Sequence, residues 1–598
     1  MALQCQLGHH RQEEVGVLCC ACECLSAYDW SILCASCCSM SISYIGTSIF
    51  NMMTQCWKGK FANSEEDVIR PLGWDDEDIV CKHGLEPHRC GAQHDLEIWN
   101  ESEKIQSVPL SPMDYVSAPA AEITFCMVFD KGSSLDKTRL KESLACALRD
   151  YPLFAGHIEP HNRGDVPESS RKGEQLRIIN SNRGVKWTSR KACSSKHTLK
   201  RLLPFMHQIE GSKEFGIASM FRSPVMHPYY YKKVTDATTL WTKQEYLMRV
   251  FLTRLQDGCF VLVVTAAHLV TDLQPLKCFM KSWSNHYTNQ DMNSKMDHKR
   301  VIPTAQEYLF KIGHKILADI PPHDDVYDHF NVKKEDEFVW LVPSNRIFRY
   351  PMLANLFHRP RVKGVHVSAA AIAEARTHAI QEMQTRGWCS DDEKAWVSDN
   401  DILTAIVWKA MAKKAKRKPE CALLMACDMR KRVQGPSSPG DGHVPPDSLG
   451  NCVMSIHVGN IKYSDRIRPI SKLAAQIRHA VNNFQPDAFV AGVAKATQIL
   501  NNEQSPLVPY PSLNPDFLSV KPFKVKIPIM VTNWNFSKGF ENEVNFGGNK
   551  PIWMEPGTLR TKVAVIMPSP SHIRGGGYII TLQLEDRDIY LERDYGLM

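Results

Sequence analysis

The chain lacks the signatures that most readily announce an enzyme. It contains no G-x-S-x-G nucleophile elbow, no G-x-x-x-x-G-K-[ST] phosphate loop and no H-E-x-x-H zinc helix, which argues against an activated serine, a nucleotide hydrolase or a zinc peptidase. It also lacks a strong charge bias. Lysine and arginine exceed aspartate and glutamate by only 72 to 65, a net +7 over 598 residues, too dilute to indicate a nucleic-acid partner though suited to an anionic small ligand. The densest basic patch, KAMAKKAKRK at Lys409 to Lys418, reads as the cationic last turn of a helix, with phosphate binding as the alternative. No positively charged start followed by a compact apolar core marks a secretory signal. A reducing, cytoplasmic setting without disulfides is the expectation. The uncharged stretch between Trp30 and Trp57 is long enough to cross a bilayer, but six serines dilute it, and a membrane span is not expected.

What is present is a folded composition, 43% hydrophobic and 23% charged, in a chain long enough for two or three domains. Eleven of the 20 cysteines fall before residue 91, which sets residues 1–104 apart as a cysteine-rich N-terminal extension. Within it Cys19 with Cys22 and Cys34 with Cys37 form two CxxC pairs. That spacing can close a tetrahedral thiolate site on zinc. A poorly ordered extension without metal is the competing reading, because the apolar framework of a zinc finger is missing.

From Val108 onward helices and strands alternate. Ala121 to Phe129 is strand-like, and Leu140, Leu144, Ala147 and Leu148 share one helical face that Pro152 terminates. A polar crossover at Ile320 to Lys334 separates this half, residues 105–335, from a second, residues 336–598. The second half opens with an alanine-rich helix and a helix capped by Ser398, followed by strands at Cys421 to Cys427, Lys526 to Trp534, Lys562 to Pro568 and Gly577 to Leu584. Two such halves predict two α/β lobes with a ligand-binding cleft between them.

One residue stands where chemistry would be expected. His268 follows the apolar run CFVLVVTAA, with Asp272 four residues on. An imidazole at the mouth of a buried strand can take up and return a proton near neutral pH. On the HxxxD spacing alone a hydrogen-bonded core histidine is the better reading. Asp272 is too far along the chain to be taken as its partner and is better read as bracing the turn through a distant arginine.

The order of the other segments reverses that judgement. LSPMD at Leu110, LKESLACALRDYPLFAGHI at Leu140, HLVTD at His268, NDILTAIVWKA at Asn400, CDMRKRV at Cys427, LGNCVM at Leu449 and NFGGNKP at Asn545 together resemble the BAHD superfamily of acyl-CoA-dependent acyltransferases. Its fungal trichothecene 3-O-acetyltransferase-like and plant hydroxycinnamoyltransferase-like members share this order. The resemblance implies an α/β fold of two chloramphenicol-acetyltransferase-like lobes, each a mixed sheet with flanking helices, and an active-site channel between them.

It further implies transfer of an acyl group from acyl-CoA, a cosubstrate and not a tightly bound cofactor, to an alcohol or amine of a specialised metabolite. His268 would be the general base in a ternary complex of a monomeric enzyme, without nucleic acid or membrane. Asp272, Arg430, Asn545, Phe546 and Gly547 fall in structural motifs, and Thr532, Asn533 and Trp534 in the segment that often walls the oxyanion. Two departures stand out. Asn545 replaces the aspartate that opens DFGWGKP, understood to pair with an arginine such as Arg430, and Leu273 replaces the glycine after HxxxD. A non-catalytic relative acting as a scaffold through its cysteine-rich extension is the alternative; a carrier-dependent condensation domain is a third reading.

Overall fold

The computed structural model describes residues 61–70, 107–117, 122–160, 176–192, 198–203, 218–222, 245–288, 304–321, 324–332, 361–388, 395–414, 421–430, 432–433, 444–445, 447–461, 468–502, 527–534, 543–557, 563–573 and 575–584. Cys19, Cys22, Cys34 and Cys37, proposed for zinc, lie outside them, as does the uncharged stretch between Trp30 and Trp57.

Among the described residues the strands form three sheets. Sheet one runs β1 (Phe61–Ile69), β6 (Val185–Ala192), β8 (Met248–Arg254), β9 (Phe260–Ala267), β3 (Glu122–Phe129) and β14 (Trp553–Pro556). Sheet two runs β12 (Val453–Ile461), β11 (Cys421–Asp428), β13 (Ile527–Asn533), β15 (Val563–Pro568), β16 (Gly577–Leu584), β10 (Arg361–Ser368) and β7 (Ala218–Arg222). A small sheet joins β2 (Ser107–Pro109), β5 (Leu176–Ile179) and β4 (His157–Pro160). Both large sheets are mixed: β6 and β8 pair in parallel in the first, and β11, β13 and β15 do so in the second.

The two lobes predicted from the alternation of elements are these two sheets with their helices. They are not cleanly divided near residue 335, because each half of the chain lends a strand to the other's sheet. Strand β7 pairs with β10, and β14 pairs with β3. Strand β1, inside the segment read as an N-terminal extension, is the edge of sheet one through its pairing with β6. The crossover at Ile320 to Lys334 contains a short helix at Val326–His329, capped by the Asp325 side chain.

Every residue of β3 is buried: Ile123 to Phe129 are apolar or β-branched, as a strand covered on both faces requires, and Glu122 at its start is paired with Arg249. One face of sheet one packs on helices α1 (Lys137–Asp150) and α2 (Leu273–Thr288), where Phe125, Met127, Leu144, Leu148, Phe279 and Trp283 share a core. The other face meets the second lobe, with Cys126, Val128, Phe251 and Trp553 against Ile573 and Ile579. Each large side chain so buried contributes on the order of 2 kcal/mol. In the second lobe, Ser398 Oγ accepts from Asp401 N at 3.3 Å while Asp401 Oδ2 accepts from Ser398 N at 2.7 Å. This reciprocal capping box opens the helix at Asp399–Lys414. No helix among the described residues is long and apolar enough to cross a membrane.

Candidate active site

Strand β9 delivers His268 to a tight turn at the end of sheet one, closed by Val270 N donating to Ala267 O at 3.1 Å. Leu269 and Val270 are buried within the turn, whereas His268 is half-buried. Apolar anchors on either side of a polar ring fix where the imidazole stands, and the chain then enters α2 directly.

The ring is held by residues far away in the chain. His268 Nδ1 lies 3.0 Å from Asn451 Oδ1, and Asn451 Nδ2 donates to the His268 carbonyl at 2.7 Å and to Asp114 Oδ1 at 2.7 Å. A carbonyl and a carboxylate can only accept, so the amide NH₂ must face them and its oxygen must face the ring. Nδ1 therefore carries the proton of the neutral imidazole, and the basic lone pair is on Nε2.

Asp114 has two tasks. Its Oδ2 accepts from Ser111 N at 2.7 Å and Ser111 Oγ at 2.9 Å, a capping box at the start of Pro112–Ser117 with proline at the first helical position. Its Oδ1 also accepts from Asn451 N at 2.9 Å. LSPMD is thus a helix cap whose second carboxylate oxygen orients Asn451. LSPMD and LGNCVM match the family only as segments, and nothing local in them assigns Asn451 a role. The S-x-x-D spacing was the signal available for Asp114.

Burial pushes the Asp114 carboxyl up to about 6, against the pull of its four hydrogen bonds. Protonation removes an acceptor from the group that orients Asn451, so turnover should fall as pH drops through about 6. Stability should move the other way. The folded-state pKa lies above the ordinary value of 3.8, so the folded chain binds this proton more tightly than the unfolded one, and the carboxyl's destabilising contribution is relieved as pH falls from 7 to 5. Melting the parent and Asp114→Asn side by side checks this. The parent should gain in relative midpoint on acidification, and a flat difference between pH 7 and 5 contradicts it.

Asp272 faces a different set of partners. Its Oδ2 accepts from Arg430 Nη1 and from Cys452 N, both at 2.9 Å, and its Oδ1 accepts from Gln274 N at 3.1 Å, capping α2. Arg430, fully buried, also donates to Asp428 Oδ1 at 2.9 Å and to the Gly450 carbonyl at 2.8 Å. Burial opposes its charge, but Asp272 and Asp428 outweigh it and push the guanidinium pKa up. Leu273, where the family has glycine, begins α2 and packs against the lobe-one core.

The expected pairing of Asn545 with Arg430 is corrected. Arg430 is engaged by Asp272, Asp428, Ser448 and Gly450, whereas Asn545 Oδ1 accepts from Gly548 N at 2.6 Å within its own turn. Phe546 is fully buried, its ring 5.2 Å from that of Trp283 and 5.5 Å from that of Tyr287. Gly547 adopts φ +64 and donates to Thr288 Oγ1 at 3.0 Å. These contacts are at the C-terminal end of α2, about 22 Å of helix rise from its start beside Asp272. The loop braces α2 and does not reach the imidazole. Accordingly, Asn545→Asp should leave kcat within about twofold and the melting midpoint within about 2 °C, measured by steady-state turnover and calorimetry.

Thr532, Asn533 and Trp534 stand at the C-terminal end of β13 in sheet two. Trp534 is a packing residue, its ring 5.0 Å from that of Phe125 across the lobes, and its backbone N–H donates to the Ile566 carbonyl at 2.7 Å. Thr532 and Asn533 are half-buried, and Asn533 Oδ1 is buried without a hydrogen-bond partner.

A model of the Transferase family matches residues 232–591, more than half of the chain, across both lobes. The chain belongs to this family of BAHD-type acyltransferases. Residues of the chain are 28% identical over 228 positions to the trichothecene 3-O-acetyltransferase of Saccharomyces cerevisiae (strain ATCC 204508 / S288c). That match takes in 38% of the chain and 43% of the curated relative, less than half its length. F. sporotrichioides TRI101 complexed with coenzyme A and T-2 superposes with a TM-score of 0.53 at 14% identity, covering 82% of this chain and 97% of that one. F. graminearum TRI101 complexed with coenzyme A and T-2 mycotoxin gives 0.52 at 12% identity, over 81% and 96%. At such identities the likeness shows the fold: this BAHD-type chain has the two-lobe α/β architecture of those proteins.

Proposed function

We propose that the protein transfers an acyl group from acyl-CoA to a hydroxyl or amine of a small specialised metabolite, with His268 as general base. The observation that carries this reading is the Asp114–Asn451–His268 relay, which fixes the tautomer with Nε2 basic. A thioester carbonyl is already activated, so a base that removes the acceptor's proton suffices. Nε2 takes that proton as the acceptor oxygen or nitrogen attacks the carbonyl carbon. The tetrahedral oxyanion then collapses, the carbon–sulfur bond breaks, and the imidazolium returns its proton to the departing thiolate.

The charge that develops on the carbonyl oxygen needs a donor. Thr532 and Asn533, at the end of a central strand of sheet two, are the residues we assign to that wall. Asp272 and Arg430 act on the turn and the Asn451 loop, so His268 is the one residue assigned to proton transfer.

The reading is tested by thiol release from acetyl-, malonyl- and longer acyl-CoAs offered with a panel of alcohols and amines. Acceptor-dependent release by the parent and its loss in His268→Ala support it. Equal acceptor-dependent rates from both proteins remove His268 as the base. Bound CoA without turnover on any acceptor favours the scaffold alternative.

A further inference from the structure

Behind the relay, the segment carrying Asn451 is sandwiched between two others. Thr271 of the HxxxD turn forms a parallel bridge to Gly450, and Thr304 forms one to Leu449. Ala305, the first residue of the helix Ala305–Asp319, donates its N–H to the Leu449 carbonyl at 2.7 Å. The loop that aims Asn451 is therefore registered against His268's turn on one side and a helix N-terminus on the other.

Gln306 spans this sandwich. Its side chain is fully buried, and Nε2 reaches the Val270 carbonyl, two residues after His268, at 3.4 Å. Its Cγ and Cδ lie under Gly450, where a Cβ would stand only 2.9 and 3.0 Å from them. Gly450 adopts φ +98, so both conformation and space demand glycine there. Because the Val270 carbonyl only accepts, the amide orientation is fixed. Gln306 Oε1 is then left buried without a hydrogen-bond partner.

A buried amide with one long hydrogen bond and one unpaired acceptor costs stability relative to an apolar side chain of the same size. Packing alone does not account for it. What the amide does is tie the turn after His268 to the backbone beneath Asn451.

We infer that Gln306 is a positioning residue, setting the spacing between the His268 turn and the Asn451 loop so that Nδ1 stays on the Asn451 oxygen. This rests on the reading of His268 as the base. Displacements of about 1 Å in a catalytic arrangement cost up to about a hundredfold in rate, and a loosened relay should be felt in kcat, with little change in KM for either substrate.

The test combines turnover with a readout that does not need turnover. Gln306→Met, close in volume, should lower kcat about tenfold. In an Asn451→Ala background the same substitution should have no further effect, because both act through one contact. In parallel, the ring-nitrogen NMR signals of His268, assigned by their loss in His268→Ala, should show a protonated Nδ1 and an unprotonated Nε2 in the parent. In Gln306→Met they should move toward averaged values. Gln306→Leu, which removes the amide with different packing, gives the same readouts if the methionine variant does not fold. Unchanged ring signals, or rate losses that multiply in the Asn451→Ala background, overturn the inference. A parent inactive on every acceptor whose ring signals still respond to Gln306→Met sinks the base reading and leaves the positioning role standing.

Discussion

His268→Ala should lower kcat for acyl transfer about a thousandfold, the mid-range of what a positioned general base supplies. KM for acyl-CoA should stay within about twofold, because in the proposed mechanism the imidazole acts on the acceptor's proton and not on the donor's nucleotide. The relay sets these magnitudes. With Nδ1 committed to Asn451 at 3.0 Å, the neutral ring presents the basic nitrogen without first selecting a tautomer. On the proposed mechanism, a substitution that deletes the ring removes both the base and the acid that later protonates the thiolate. Residual turnover should survive through substrate proximity and the oxyanion wall. Single-turnover thiol release with saturating acceptor separates chemistry from product release. A loss confined to KM would place His268 in binding, not proton transfer.

Asn451→Ala should fall between that variant and the parent. Freed of Nδ1 restraint, the ring can adopt the other tautomer, in which Nε2 carries the proton and cannot act as a base. Intermediate loss is therefore the signature of an orienting residue.

The legible part of this site was local. A buried strand and a histidine at its end are written into one run, CFVLVVTAAH, and the apolar composition reads them directly, whereas the helix Leu273–Thr288 that follows Asp272 is not among the elements read from the sequence. Strands β3, β11, β13, β15 and β16 are readable for the same reason, and the helix at Asp399–Lys414 from its Ser398 cap. The contacts that give His268 its tautomer were not. Asn451 lies 183 residues from His268, and Asp114 lies 337 residues from Asn451, and no periodicity encodes a pairing across such spans. Strand exchange was equally hidden, since β7 and β14 look like ordinary members of the halves in which they occur. The Asn545–Arg430 pairing failed for a physical reason: Arg430 already has two carboxylates, and Asn545 is engaged in a turn at the far end of α2.

Arg430→Met should be the most destabilising substitution near the site. The guanidinium is fully buried and joins the HxxxD turn through Asp272, the end of β11 through Asp428 and the Asn451 loop through the Gly450 carbonyl. Methionine fills comparable volume but leaves Asp272, nearly as buried, as an uncompensated carboxylate. Losses of about 3–5 kcal/mol are usual when one partner of a buried ion pair is removed. The melting midpoint should then fall by several degrees, and kcat about a hundredfold, as the loop carrying Asn451 loses its anchor. The companion variant decides the cause. In Arg430→Met with Asp272→Asn the stranded charge is gone, and the introduced amide oxygen can still accept from Cys452 N, so a substantial part of the lost stability should return. The kcat defect should persist, because Gly450 remains untethered. Recovery of both would assign the pair to electrostatics alone, and recovery of neither would show that the arginine's packing, not its charge, holds the loop. Calorimetry and single-turnover rates on the two variants distinguish these outcomes, and recovery of stability without rate is the result expected of a residue that orients the base from the second lobe.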